Sequence, residues 1–346
     1  MLSDNNRIIQ FDALRVIATL AVVWLHTAAQ RFYICYPSAE WDIRNFYDSI
    51  VRWAVPIFVM ISGALFLNPD KKIGIKSLYT KYIFRVLIIF IFWSIIYGAY
   101  SGIGESGIVG MLGRMVQGPY HFWFLKMIIG LYICLPILRE IVKDKKLEQY
   151  FILLSFITAF AIPMIFPLLG YYSDLAKEFA EKYYNAFGIK IALGHVGYFV
   201  LGNYLARNVI SKKVRHTLYL LGILSFVAVC TLTRLASDYN GEPYLLLYEN
   251  INLFTLFEAL AIFIAVKELK IAPKYNALLI NASKLSLGIY IIHPLVTSIF
   301  YDLWGIDSAS LNPIYFIPLF TLIIFAISYL LSFVLIKIPV VKRFLI

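Results

Sequence analysis

Arg15 and His26 stand at opposite ends of FDALRVIATLAVVWLHTAAQ (11–30), a stretch that otherwise reads as a helix made for lipid. Eleven helical steps of about 100° make three turns plus roughly 20°, so both side chains share one face, about 16 Å apart along the axis. That is too far for an ion pair. A guanidinium at one depth suits an anion, and an imidazole further along suits proton transfer near neutral pH.

Other ionisable residues fall inside apolar runs. Glu258 lies deep in FTLFEALAIF, Lys81 and Arg85 open the third apolar run, and His121, His195 and His293 are spread over three more. A charge near the bilayer centre costs about 2.5–3.5 kcal/mol on insertion scales, so such residues usually face a cavity or a partner. Plainer roles stand beside the chemical ones. Lys81, Lys126 and Arg207 suit snorkelling to headgroups, Arg52 suits an i, i+4 pair with Asp48, and His195 suits a structural hydrogen bond.

The elements that must position these groups are membrane helices. Of 346 residues, 61% are hydrophobic and 15% charged, against roughly 25% charged in soluble domains. The apolar residues run long enough to cross lipid. Ten spans are predicted, near 8–29, 48–68, 78–100, 121–139, 149–169, 190–208, 216–235, 247–267, 279–300 and 314–337. The loops DKKIGIK (70–76), REIVKDKK (139–146), RNVISKKVR (207–215) and KELKIAPK (267–274) are basic, as is the tail VKRFLI. The alternate loops are mixed or acidic. The positive-inside rule therefore places both termini in the cytoplasm, as an even count requires. The same loops explain the net charge of +11 without nucleic acid. The expected fold is an all-α integral membrane bundle of about ten helices, a single domain over 1–346 with no separate soluble domain.

Three scattered cysteines give no disulfide framework, and no metal signature is found. The outer loop 170–189 suits a short interfacial helix. Thr27-Ala28-Ala29 resembles a signal-peptidase site, but Asp12 and Arg15 interrupt the apolar region that such a peptide needs. GIGESG (102–107) matches a dinucleotide pattern without a βαβ unit around it. Asn281-Ala282-Ser283 matches a glycosylation acceptor on the predicted inner side.

FDALRVIATLAVVWLH resembles the opening span of the acyltransferase 3 family, integral membrane enzymes that acylate cell-envelope sugars. A basic residue, ten residues and a histidine are the hallmark there, and Asp12 also fits. Further similarities follow in order: VPIFVMISGALFL (55–67), YHFWFLKMIIGLYICLPIL (120–138), GYFVLGNYLA (197–206) and SKLSLGIYIIHPLV (283–296). One departure is clear. Many members carry two arginines three apart at the start of span three; here Tyr82 fills the first position, Arg85 remains, and Lys81 supplies charge without the planar fork of arginine.

The resemblance implies a ten-helix fold, an acyl-coenzyme A donor (acetyl by family habit) and a catalytic histidine, in the inner membrane of a bacterium. On that basis Arg15, Arg85 and Lys81 are expected to bind donor phosphates, and His26 to act as base or acyl carrier, oriented by Glu258. Ser62 is expected to line the donor path, or else to belong with Gly63 to a close helix contact. Trp123, Tyr290 and His293 are expected to shape the side of the carbohydrate acceptor, free or lipid-linked. The alternative reading is a multi-pass transporter or flippase of an envelope precursor.

Overall fold

The computed structural model describes residues 7–102, 107–170, 173, 175, 178, 189–306 and 311–344, and over these it is helical without a strand. The chain forms α1 (Ile9–Ala28), α2 (Ala39–Ser49), α3 (Ala54–Phe66), α4 (Phe84–Tyr100), α5 (Gly107–Gln117) and α6 (Trp123–Ile141). There follow α7 (Lys145–Ser155), α8 (Ile162–Gly170), α9 (Ile189–Arg207), α10 (Lys212–Asn240), α11 (Leu253–Lys267), α12 (Asn276–Trp304) and α13 (Pro313–Leu335). Wide π turns at Leu78–Ile83 and Phe156–Ala161 lead into α4 and join α7 to α8.

Among the described residues, nine helical stretches are long and apolar enough to cross a membrane, so the chain is a multi-pass membrane protein. The predicted span outside these nine is the sixth, 190–208, which is the 19-residue α9. Lys190, His195, Asn203 and three glycines keep its hydropathy down.

Local chemistry sets many of the helix ends. Asp144 accepts from the amides of Lys146 (2.7 Å) and Leu147 (3.0 Å) to start α7. Asn252 accepts from Thr255 N–H at 2.8 Å to start α11, while its amide donates to the carbonyls of Leu247 and Glu249. Such caps satisfy amides that a helix start leaves open. Gly241 ends α10 at φ 73° and Gly305 ends α12 at φ 61°, left-handed conformations that suit glycine.

Two predicted boundaries need correction. The second span is not one helix over 48–68 but α2 and α3, broken over 50–53 where Arg52 sits. The loop expected over 101–120 contains α5, whose Ile108, Leu112 and Val116 form an exposed apolar stripe at i, i+4 and i+8. That stripe suits an interfacial helix. The interfacial helix expected over 170–189 lies largely outside the described residues.

Helix α1 is shared by two packed cores. Phe11, Leu14 and Ala18 join α3, α6, α9 and α11, whereas Ala21, Val22 and Ala28 join α4, α12 and α13. Arg15 thus belongs to the first core and His26 to the second. Because lipid tails are as apolar as leucine, close packing and small residues hold such helices together. The tightest approach is α3 against α9: a Cβ on Gly63 would lie 1.7 Å from the Phe199 carbonyl oxygen, and one on Gly202 would lie 2.1 Å from that of Met60.

Gly63→Ala and Gly202→Ala should each cost about 1–3 kcal/mol or more through overpacking. Gly130→Ala, which meets no atom within 4 Å, should be neutral or stabilise by up to about 1 kcal/mol. Unfolding of the three variants in micelles measures this contrast, and equal stabilities would show that the α3–α9 contact yields easily.

Candidate active site

The imidazole of His26, near the end of α1, meets His293 of α12, with Nδ1 of His26 2.6 Å from Nε2 of His293. The rings are nearly parallel, 11° apart with centroids at 4.9 Å. His293 is fully buried, and its Nδ1 lies 3.1 Å from the Ile289 carbonyl one turn earlier. His121 and Tyr120, on a single 3-10 turn, present their rings to His26 at 6.4 and 5.4 Å. Tyr290 fastens that turn to α12, since its hydroxyl donates to the His121 carbonyl.

Helix α12 is opened beside His293. Pro294 has no N–H, so the Tyr290 carbonyl loses its helical donor. One residue on, the Tyr97 hydroxyl donates to the Ile291 carbonyl at 2.7 Å and accepts from Leu295 N–H at 3.1 Å. These are the two groups that one helical hydrogen bond would join. A side chain inserted in the ladder is a recognised cause of bending, and here it satisfies both backbone groups.

The other polar centre lies toward the opposite end of α1. Asp12 is held by Arg7 through two bonds of 2.7 Å, while Arg15 approaches it only to 3.7 Å. Tyr132 hydrogen-bonds Ser62 and lies in the field of both Arg15 and Arg85. Lys71 places its ammonium 4.4 Å from the centre of the Phe66 ring and 5.7 Å from that of Tyr82, a cation–π arrangement. Arg139 clamps the same loop by donating to the carbonyls of Phe66 (3.2 Å) and Lys71. Burial pushes the Lys71 ammonium below the ordinary lysine range, and the nearby charges of Arg139 and Arg15 push it further.

A cavity of about 860 Å³ opens beside the histidines, at the end of α1 away from Arg15. Tyr97, Tyr100, Tyr120 and Tyr301 line it, with Pro294 and Asp302. Tyr100 donates to Asp302. A second cavity, about 530 Å³ and mostly apolar, lies among α7, α9, α10 and α11. Arg15 lines neither.

A paired imidazole beside an amphipathic cavity can exchange protons, and a cationic centre a helix length away can attract an anion. The model of an acyltransferase domain family, Acyl_transf_3, matches residues 8–333, essentially the whole chain. The chain belongs to the acyltransferase 3 family. No curated protein and no solved structure matches it.

In this acyltransferase the expected site residues divide. His26 and His293 are brought together, and Tyr290 packs beside them, with its hydroxyl engaged by the backbone. Arg15, Arg85 and Ser62 converge on Tyr132, and Gly63 serves the close α3–α9 contact. Lys81 is exposed on the π turn leading into α4. Trp123 stacks at a tilt beside His195, centroids 5.6 Å apart, and lines neither cavity described here.

Glu258 is buried, and neither of its oxygens has a hydrogen-bond partner among the described residues. The partner on His26 is His293. Arg52 is the charge whose field reaches both Glu258 and His26, and it is itself held by Asp48 and the Tyr248 carbonyl.

Residues that sequence reasoning passed over are Lys71, Arg139, Tyr132, Tyr97 and Tyr120. Lys71 and Arg139 carried a signal, since both stand at loop ends beside predicted spans. The tyrosines carried none.

Tyr97→Phe removes the hydroxyl from the opened ladder and leaves the Ile291 carbonyl and Leu295 N–H to find each other. Stability in micelles should fall by about 1–3 kcal/mol. Unchanged stability would mean that the ladder closes without the phenol.

Proposed function

We propose that this acyltransferase moves an acyl group, acetyl in the first instance, from cytosolic acyl-coenzyme A to a hydroxyl of a cell-envelope carbohydrate, in the inner membrane of a bacterium. The observation that carries the reading is the pair of polar centres at two depths of α1, cations around Arg15 and a histidine pair around His26. The basic loops support a cytosolic Arg15 end. Both termini then face inward.

Each centre suits one substrate. Arg15, Arg85, Lys71 and Lys81 supply charge for the phosphates of the donor, and the spacing along α1 suits the reach of its pantetheine arm. The tyrosine-lined cavity suits a sugar, with aromatic faces for its C–H surfaces and polar groups for its hydroxyls. Acyl transfer then balances on one base. His26 takes the acceptor hydroxyl proton as the oxygen–carbon bond forms; the carbon–sulfur bond breaks, and the departing thiolate takes that proton from His26. Proximity of the two substrates and this proton transfer are the terms the protein supplies.

The test uses the purified protein in lipid nanodiscs with acetyl-coenzyme A and an envelope glycan fraction, reading free thiol and glycan mass. His26→Ala should lower turnover by about 10²–10⁴-fold while donor binding persists. Arg15→Ala should weaken donor binding about tenfold, the loss of one charge-assisted contact. Wild-type turnover in His26→Ala would refute the base, and unchanged donor affinity in Arg15→Ala would refute the phosphate assignment.

Lys71 adds a pH signature. Its ammonium loses its proton at a lower pH than an ordinary lysine, so the charge that helps hold the donor fades early as pH rises. The KM for donor should rise on the alkaline side in the wild type. Lys71→Arg, which stays charged, should flatten that rise; a slope that does not respond would place Lys71 outside the donor site.

A further inference from the structure

We infer that His293 is the positioning residue for His26, fixing the tautomer in which Nε2 of His26 carries the reactive lone pair. The inference rests on the acyltransferase reading for its consequence in turnover, though not for the tautomer itself. A neutral imidazole has one N–H and one acceptor nitrogen. The Ile289 carbonyl can only accept, so Nδ1 of His293, at 3.1 Å, carries the proton. Its Nε2 is then an acceptor. The nitrogen 2.6 Å away, Nδ1 of His26, must donate. That leaves Nε2 of His26 unprotonated. Neither ring is hydrogen-bonded to a carboxylate among the described residues, and a charge left unpaired in an apolar interior is costly, so the pair is neutral at rest.

The surroundings hold this arrangement. Tyr97 and Pro294 fix the opened turn of α12 on either side of His293, and Tyr290 ties the same turn to the His121 carbonyl. The titratable groups facing His26 are His293 from α12 and Tyr120 and His121 from the 3-10 turn, with Arg52 acting through its field. When Nε2 of His26 takes the acceptor proton, the Nδ1–H bond to His293 persists, and the new positive charge rests on a ring that already has its partner.

Nitrogen-15 NMR of histidine-labelled protein in nanodiscs reads the tautomer without any substrate. Wild-type His26 should show Nδ1 protonated and Nε2 unprotonated, and His293→Ala should show a mixture. In the enzymatic assay His293→Ala should lower kcat on the order of 100-fold, less than the ~10⁴-fold lost when a charged orienting carboxylate is neutralised in a serine protease, with the donor KM unchanged. His293→Gln, whose amide oxygen can accept from Nδ1 of His26, should recover most of kcat. His293→Asp should move the acid limb of the kcat–pH profile upward, because a carboxylate favours the charged ring. A wild-type His26 protonated on Nε2 would overturn the inference. So would a tautomer and kcat unmoved in His293→Ala, or a Gln variant as slow as Ala. A wild-type protein that shows the stated tautomer and releases no thiol would sink the functional reading alone.

Discussion

A neutral imidazole brings one donor and one acceptor into the apolar interior, and each left unpaired costs about as much as a lost hydrogen bond. His26 meets the donor half of that demand with a residue 267 positions later in the chain. Much of the fold near the site follows from making that contact. Helix α12 must pass α1 closely enough for two rings to face one another, which Ala21, Val22 and Ala28 on one side and Ile289, Ile292 and Val296 on the other allow. His293 must in turn satisfy its second nitrogen, and it does so on its own helix through the Ile289 carbonyl. The dyad then leaves one acceptor open, Nε2 of His26.

The same helix carries the second constraint. Because α1 is one continuous α-helix over Ile9–Ala28, the distance between Arg15 and His26 is set by rise per residue and not by loop conformation. Its two halves lie in different packed cores, so the ruler is gripped at both ends. At the basic end Asp12 is committed to Arg7 at 2.7 Å, which leaves Arg15 only loosely neutralised at 3.7 Å. Three further cations reach the same region: Lys71 over the Phe66 ring, Arg139 clamping its loop and Arg85 beside Tyr132. So many positive groups repel one another unless an anion joins them, a role the proposed donor's phosphates would fill.

What could be read in advance depended on whether the signal was local. Helix periodicity put Arg15 and His26 on one face, and runs of apolar residues located most of the helices to within a few positions. Pro56 in the first turn of α3 marked a helix start inside the predicted second span, as proline there often does, and that signal was available. Glu258 drew attention as a carboxylate deep in an apolar helix, yet the choice between Glu258 and His293 as partner of His26 is made by which helix packs on α1. No periodicity encodes that. Lys71 read as one charge in a basic loop, because its burial against Phe66 and Tyr82 belongs to the fold. The cavity tyrosines come from α4, the 3-10 turn and α12, segments that only tertiary structure gathers.

A histidine partner, in place of a carboxylate, also bears on the chemistry proposed. A base that accepts a hydroxyl proton must give it up again to the leaving group. The leaving group from a thioester is a thiolate, and thiols of the cysteine kind have a pKa of about 8.5, against about 6.5 for imidazole. Proton return to sulfur is therefore downhill for an ordinary imidazolium. A carboxylate at Nδ1 would stabilise that imidazolium and hold the proton back, whereas the neutral ring of His293 orients His26 without trapping it. Oxygen esters and amides, with far more basic leaving groups, need no such restraint, since the departing atom pulls the proton strongly in any case. The dyad thus suits the thioester donor proposed above on grounds independent of the cations around Arg15.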